Sequence, residues 1–248
     1  MEHRSLLRRL APDWLTLLSA ALIVFSFPPW NIYPLIWFAL VPWFFALKRA
    51  RRNRSALLQG VWLSFFMSLG GFYWVGYVLK EFGGLPWSLS ILGLVLFSLG
   101  GQPQFLLFGP IWRWVRKRQT DRPVFAVLLA LALGLAYTGL DWMLPKLFVD
   151  TFGHSMYLAK HLRQAADLGG ATLLTFLIFL VNESLFFIIT RLRSRGEPST
   201  WPALRAAGGP FLVALLLTLS ACGYGLKRYP LILEAEARAT QHIQVGVI

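Results

Sequence analysis

Cysteine is scarce in this sequence, and so are charged residues. Cys222 is the only cysteine among 248 residues, which excludes an internal disulfide and a cysteine-rich metal site. Charged residues make up 14% of the chain, against roughly 25% in a soluble domain, whereas 56% of the residues are hydrophobic. These values exclude an ordinary soluble domain and indicate an integral membrane protein.

Acidic residues are the scarcer charged class, with 11 against 24 basic residues and a net charge of +13. In a soluble chain this excess would suggest a nucleic-acid partner. Here the basic residues lie in short clusters between apolar segments, as topology signals of membrane proteins do, so we expect no nucleic-acid binding. No small-residue cleavage site follows the first apolar segment, which we therefore interpret as a retained helix rather than a signal peptide.

Seven apolar segments are predicted to cross the membrane, because each is long enough or is anchored by aromatic residues. The expected fold class is an all-α polytopic membrane protein. A tight helical hairpin is predicted for the first two segments, which are short and separated only by PPWNIY. The segments are approximately Pro12–Phe27, Pro34–Leu47, Leu57–Leu79, Pro86–Trp112, Val124–Leu144, Ala171–Thr190 and Pro210–Leu226.

The distribution of Lys and Arg predicts the orientation. Seventeen of them lie on the side of the N-terminus and seven on the other side, which places the N-terminus in the cytoplasm. Seven spans then place the C-terminus outside the cytoplasm. The last residues, ATQHIQVGVI, are rich in β-branched side chains and predict a strand that has no partner strand in this chain.

Two intramembrane polar sites are candidates for function. Gln102 and Gln104 lie in SLGGQPQF, where the glycines and the proline are expected to loosen the helix and the glutamines to satisfy the freed carbonyls. Glu183 lies inside a predicted span, and the adjacent Asn182 is expected to form a hydrogen bond with a neighbouring helix. An ionisable residue there is either functional or paired with a cytoplasmic Lys or Arg, and the sequence leaves both alternatives open.

Other candidates lie near the predicted outer surface. The stretch GFYWVGYVLKEFGGLPW is either an interfacial turn or part of a mouth at headgroup level. The outer loop, residues 145–170, includes Phe148 among polar residues and has a composition suited to lying at a membrane surface or lining a cavity mouth. Its two histidines and two aspartates could bind zinc, but a hydrogen-bonding role in the loop is preferred, and we expect no metal. The lipid-facing candidates in these regions are Trp74, Glu81, Phe82, Gly83, Gly84 and His154.

Four motifs follow one another along the chain: FSFPPWNIYPLIWFALVPWF, GFYWVGYVLKEFGG, RQAADLGGATLLTFLIFLVNESL and IQVGVI. This succession resembles the bacterial apolipoprotein N-acyltransferases. The resemblance implies a membrane bundle in residues 1–228, followed in residues 229–248 by a linker and the first strand of an extracytoplasmic α/β nitrilase-like domain. Most of that domain would be absent from this chain.

The resemblance implies an enzyme of the bacterial inner membrane that takes an acyl chain from a phospholipid and passes it to the N-terminal cysteine of a diacylglyceryl lipoprotein, without a cofactor. The family's catalytic Glu, Lys and Cys lie in the nitrilase-like domain, so no catalytic residue is assigned here. Cys222 does not match the nucleophile. This chain alone is predicted to be inactive, with a separate nitrilase-like chain as one potential partner.

The fifth predicted span departs from the family pattern of Trp, Glu and Arg followed by FPW. Asp141, followed by Trp142, stands where the Glu would be, Tyr137 takes the aromatic position, and no Arg follows at the matching spacing. Asp141 and Trp142 therefore join the lipid-facing candidates, as do Asn182 and Glu183. The alternative function is a non-enzymatic transporter or lipid-binding scaffold, whose path would run past Glu183 and the broken helix at Gln102.

Overall fold

A computed structural model describes residues 11–118, 122–193 and 201–238. Within these ranges the chain forms α-helices, three short 3-10 helices and no strand. The 3-10 helices are Tyr33–Trp37, Phe152–Leu158 and Leu162–Ala165. The α-helices, named α1 to α9 in chain order, are Trp14–Ser26, Val41–Arg49, Asn53–Gly71, Trp74–Glu81, Trp87–Gly100, Pro103–Arg116, Pro123–Met143, Ala166–Arg193 and Trp201–Ala237.

Four helical segments of the described ranges are long and apolar enough to cross a membrane, which confirms the all-helical membrane class. They coincide with the last four predicted spans and cover Trp87–Arg116, Pro123–Met143, Leu162–Arg193 and Gly208–Ala237. A fifth crossing is added if α3 and α4, which are bent by 59° relative to each other, form a single span. The count of seven stays a prediction.

The first two predicted spans are much shorter than a spanning helix. α1 has 13 residues and α2 has nine, against the roughly 20 that a membrane crossing needs. α2 is buried inside the protein, with Trp43 and Phe44 fully inaccessible. The amide of Leu40 donates to Asn182 Oδ1 at 2.8 Å, and the amide of Trp43 donates to Ser19 Oγ at 2.8 Å. A short helix is stable here because side chains satisfy its first amides.

Aromatic side chains from α2, α6, α7 and α8 form the centre of the core. Phe44 stacks on Trp112 with ring centroids 5.4 Å apart, and Tyr137 stacks on Phe179 at 4.8 Å. Phe108 contacts both Tyr137 and Phe179 edge to face. These offset and edge contacts are favourable beyond the area that the rings bury. These ring contacts pack α2, α6, α7 and α8 against one another.

The helix predicted over Pro86–Trp112 is interrupted at Gln102, as expected from its glycines and proline. Gln102 has non-helical backbone angles, with φ −132° and ψ 71°, and Pro103 begins α6. The breakpoint places the amide of Gln102 3.1 Å from Ser64 Oγ of α3. The side chains of Gln102 and Gln104 are thereby directed into the protein.

The boundary predicted at residue 228 does not interrupt the structure. α9 continues through Pro230 to Ala237, so the residues expected to begin a linker are helical as far as residue 237. The predicted strand in residues 239–248 lies outside the described residues. The division into a bundle and the start of a second domain stays a prediction.

Candidate functional site

A cavity of about 250 Å³ lies between α1, the end of α3, the start of α4 and the loop that follows α7. Apolar side chains form most of its lining, among them Val24, Phe27 and Met67, while Asp150 and His154 supply charge and hydrogen-bonding capacity. Trp74 also lines it, so the structure brings together two of the predicted site residues, Trp74 and His154. A mostly apolar cleft with few polar groups is the usual form of a small-molecule site.

Asp150 is held by the broken helix. The Nε2 group of Gln102 donates to Oδ1 and Oδ2 of Asp150 at 2.9 and 3.0 Å. Burial raises the pKa of Asp150 above its ordinary value, while the Gln102 hydrogen bond and the positive charge of Lys146 oppose this shift. The cavity wall therefore contains a carboxyl group that is partly removed from water and accepts hydrogen bonds from Gln102 at both oxygens.

The hydrogen bonds continue from Asp150 to Asp141. Gln104 Nε2 donates to Gln102 Oε1 at 2.7 Å and to Asp141 Oδ1 at 2.9 Å. Lys146 Nζ lies 3.0 Å from Asp141 Oδ1 and also donates to the backbone oxygen of Asp150. The glutamines were expected to satisfy freed backbone carbonyls, which was wrong, because carboxylates are the stronger acceptors.

Lys146 supplies the basic partner of Asp141 that the sequence pattern lacked. Its side chain is only 4% exposed and that of Asp141 only 7%, so the pair is almost completely buried. Removing one member of such a pair leaves an uncompensated charge. The network therefore connects α6, α7 and the following loop behind the cavity.

An aromatic cluster supports the cavity lining at Phe72 and Trp74. Phe148, from the loop after α7, stacks on Phe72 with centroids 5.3 Å apart and lies 5.2 Å from the Trp74 ring. Phe97 of α5 closes the cluster edge-on against Phe148 at 5.7 Å. Aromatic rings are common at the level of lipid headgroups. This cluster places the loop against the α3/α4 bend.

His154 has a clear role in the outer loop. Thr151 and His154 form a reciprocal cap at the start of the 3-10 helix, in which the amide of Thr151 donates to Nδ1 of His154 at 3.2 Å. This arrangement agrees with the hydrogen-bonding interpretation of the loop histidines. The rest of the imidazole is exposed at the cavity.

Other predicted residues lie outside the cavity lining. Glu81 forms an exposed pair with its neighbour Lys80 at the end of α4, and Phe82 is 82% exposed. Gly83 and Gly84 make the turn into α5, where Gly84 has φ +65°, a conformation that favours glycine. Trp142, next to the buried Asp141, is exposed at the end of α7.

Asn182 and Glu183 lie inside the protein and do not face lipid, and Asn182 makes the expected hydrogen bonds to a neighbouring element. Asn182 Nδ2 donates to the carbonyl oxygen of Ile36 at 2.8 Å, so it fastens α8 to the turn before α2. Glu183 is fully buried, accepts a hydrogen bond from Trp112 Nε1 at 2.9 Å and pairs with Arg116. Of the two alternatives for Glu183, the structure has the ion pair.

Sequence reasoning missed Lys146 as a part of this site, whereas Phe72 and Phe148 belong to the two segments that were candidates for a mouth at headgroup level. Lys146 follows Asp141 by five residues, but no local pattern says that the chain after α7 turns back over α6. The useful signal was the break at Gln102, since a polar break in an apolar helix requires polar partners elsewhere.

The family profile described as "Apolipoprotein N-acyltransferase N-terminal domain" matches residues 19–183, which run from the middle of α1 through α7 and the outer loop to Glu183 in α8. The chain belongs to the apolipoprotein N-acyltransferase family. It corresponds to the N-terminal part of these enzymes, as the sequence resemblance indicated. The cavity around Asp150 therefore lies within the matched region.

Curated relatives agree with this assignment. The apolipoprotein N-acyltransferase of Geobacter metallireducens is 31% identical over 222 residues, covering 86% of this chain and 39% of the relative. That of Pseudomonas putida is 30% identical over 228 residues, covering 87% and 40%. That of Bdellovibrio bacteriovorus is 26% identical over 167 residues, covering 65% and 29%. The chain spans no more than about two fifths of the length of these relatives.

Proposed function

We propose that this chain is the membrane part of an apolipoprotein N-acyltransferase, and that the Asp150 cavity receives the phospholipid acyl donor. The complete enzyme would transfer an acyl chain from phospholipid to the N-terminal cysteine of a diacylglyceryl lipoprotein. A nitrilase-like catalytic domain or chain would supply the reacting groups. The predicted strand of residues 239–248 would belong to its sheet. The observation that carries this proposal is the family match, because the matched residues 19–183 include every residue that lines the cavity.

Three properties of the cavity support a lipid ligand. Its walls are mostly apolar, as acyl chains require. Trp74 and the Phe72–Phe148 stack match the aromatic side chains found at headgroup level. Asp150 and His154 offer hydrogen-bonding groups at the apolar walls, where the ester and headgroup of an amphiphile would lie. The membrane bundle would position the donor lipid, and positioning alone contributes strongly to the rate of a transfer reaction.

Filling the cavity should reduce lipid occupancy. A Cβ atom added at Gly71, which lines the cavity, meets no atom within 4 Å, so Gly71→Leu can extend into it without displacing backbone. We expect photo-crosslinking of the purified chain to a phospholipid with an acyl-chain diazirine to fall about ten-fold at peptides around Asp150, because about 1.4 kcal/mol of lost binding has that effect.

Gly139→Leu is the matched control, since a Cβ there is equally free of contacts and Gly139 lies in α7, outside the cavity lining. Its labelling should match that of the wild type. Equal labelling of the wild type and Gly71→Leu would contradict the proposed lipid site.

The second test is catalytic. The isolated chain, incubated with labelled phospholipid and an acceptor lipopeptide, should transfer no acyl group, because no paired nucleophile and base is identified in it. A chimera with the remaining C-terminal part of the Geobacter metallireducens relative should regain transfer, and Cys222→Ala should not change that rate. Transfer by the isolated chain that Cys222→Ala abolishes would overturn the proposal.

The orientation is tested separately. We expect a cytoplasmic N-terminus, seven crossings and an extracytoplasmic C-terminus in the inner membrane, because seventeen of 24 basic residues lie on one side. Alkaline phosphatase, active only outside the cytoplasm, should be active when fused after residue 248. Activity of a cytoplasm-dependent reporter at the same position would contradict the extracytoplasmic C-terminus, and with it either the orientation or the odd number of crossings.

A further inference from the structure

A second cavity, of about 200 Å³, lies where α2 and α6 end, against α8. Its walls include Leu47, Trp112 and Phe186, and four basic residues line it: Lys48, Arg113, Arg116 and Lys117. α6 has 14 residues and runs from Pro103, next to the Gln102–Asp150 contact, to Arg116. At 1.5 Å per residue, the two cavities lie about 20 Å apart, at opposite ends of the bundle.

Two of the four basic side chains, Arg113 and Arg116, already have hydrogen-bonding or ion-pair partners. Arg113 donates to the carbonyl oxygens of Ala50 and Arg51 and to Asn53 Oδ1, so it compensates the free carbonyls after α2. Arg116 pairs with Glu183. Its Nε atom is nevertheless buried and has no hydrogen-bond acceptor among the described residues.

The other two cations, Lys48 and Lys117, differ from the two arginines within the described part of the chain. Neither Lys48 nor Lys117 has an acidic partner in the part of the chain that the structure describes. Lys48 is exposed but partly desolvated, which lowers its pKa, and the nearby charge of Arg191 lowers that pKa further, so positive charges crowd this end of the bundle. An anion in the cavity would relieve this repulsion.

We propose that the cavity between Lys48, Arg116 and Lys117 binds a phosphate group. The ammonium groups of Lys48 and Lys117 can donate to the oxygens of a phosphate anion, and the neighbouring guanidinium of Arg116 adds positive charge to the cavity wall. The cavity is small for a drug-sized ligand but admits a phosphate with attached glycerol carbons. Its place at a basic end of a membrane bundle points to an anionic lipid headgroup as one source, and soluble phosphate is the other.

Binding to the purified chain in dodecyl maltoside micelles tests the site. The melting temperature would be measured against increasing phosphatidylglycerol and, separately, inorganic phosphate. We expect a saturable rise with phosphatidylglycerol or phosphate, and an apparent Kd about ten-fold weaker in the double variant Lys48→Gln, Lys117→Gln, because two charge-assisted contacts are lost. Both lysines are exposed, so the variant should fold, which its circular dichroism verifies.

The matched control is Lys160→Gln, Lys227→Gln, which removes the same charge from two exposed lysines that do not line this cavity. Its Kd should equal that of the wild type. A rise with the lipid alone identifies a headgroup, and a rise with inorganic phosphate identifies a soluble anion; both support the site. Equal weakening in the two double variants, or no rise with either ligand, would overturn the proposal.

Discussion

Glu183→Ala should lower the free energy of unfolding by about 3–5 kcal/mol, the cost of leaving one partner of a buried ion pair unpaired. Glu183 is fully buried, and its carboxylate accepts from Trp112 Nε1 and pairs with Arg116, whose side chain is 12% exposed. The substitution leaves the guanidinium and the indole N–H without an acceptor in an apolar surrounding. Equilibrium unfolding in mixed detergent and dodecyl sulfate micelles, followed by circular dichroism, measures the change.

Three further variants make the result specific. Glu81→Ala removes an exposed carboxylate paired with Lys80 and should change stability by less than about 1 kcal/mol. Glu183→Gln keeps an acceptor for Trp112 and should fall between wild type and Glu183→Ala. Replacing both Arg116 and Glu183 with Met should recover much of the loss, since an apolar pair of similar volume is tolerated. A Glu183→Ala protein as stable as wild type would mean that Arg116 reaches solvent instead.

Gly225→Ala should separate α9 from the outer loop and destabilise the protein by about 1–3 kcal/mol, as overpacking typically does. A Cβ atom at Gly225 would lie 1.7 Å from the carbonyl oxygen of His161, so one of the two backbones must move. The same contact brings the rings of His161 and Tyr229 to 5.5 Å and places Arg228 Nε 2.8 Å from Asp167 Oδ2. These side-chain contacts should be lost together.

Gly223→Ala is the control, because a Cβ atom there meets no atom within 4 Å in the same helix. Alanine is the better helix former, so this variant should equal wild type or gain up to about 1 kcal/mol. Amide hydrogen exchange around residues 224–229 should rise in Gly225→Ala and stay unchanged in Gly223→Ala. The same exchange rate in both variants would show that α9 does not depend on this contact.

The position of α9 matters for the proposed enzyme, since α9 leads toward the residues predicted to begin the catalytic domain. In the structure α9 passes the expected boundary at residue 228 without a break. Pro230 did not end the helix, although proline removes one backbone hydrogen bond. A helix boundary drawn from composition alone was therefore several residues early.

Sequence alone determined the properties that depend on neighbours along the chain. Apolar length predicted the last four helical segments, which are long enough to span a membrane, and GGQP predicted the interruption at Gln102, because backbone preference and membrane thickness act over a few residues to about 20. The order of four motifs was sufficient to identify the family. The same local reasoning did not foresee that α2, predicted as part of a helical hairpin, has only nine residues and is buried among other helices.

Tertiary structure alone decided which polar groups meet. Glu183 pairs with Arg116, 67 residues earlier, and Gln102 binds Asp150, 48 residues later. Each buried charge must find a partner because an unpaired one is costly in an apolar medium, so sequence could predict that partners exist. It could not say which ones, because that choice depends on helix packing over distances that no local pattern encodes. The Asp150 cavity and the basic cavity at the opposite end arise from that packing.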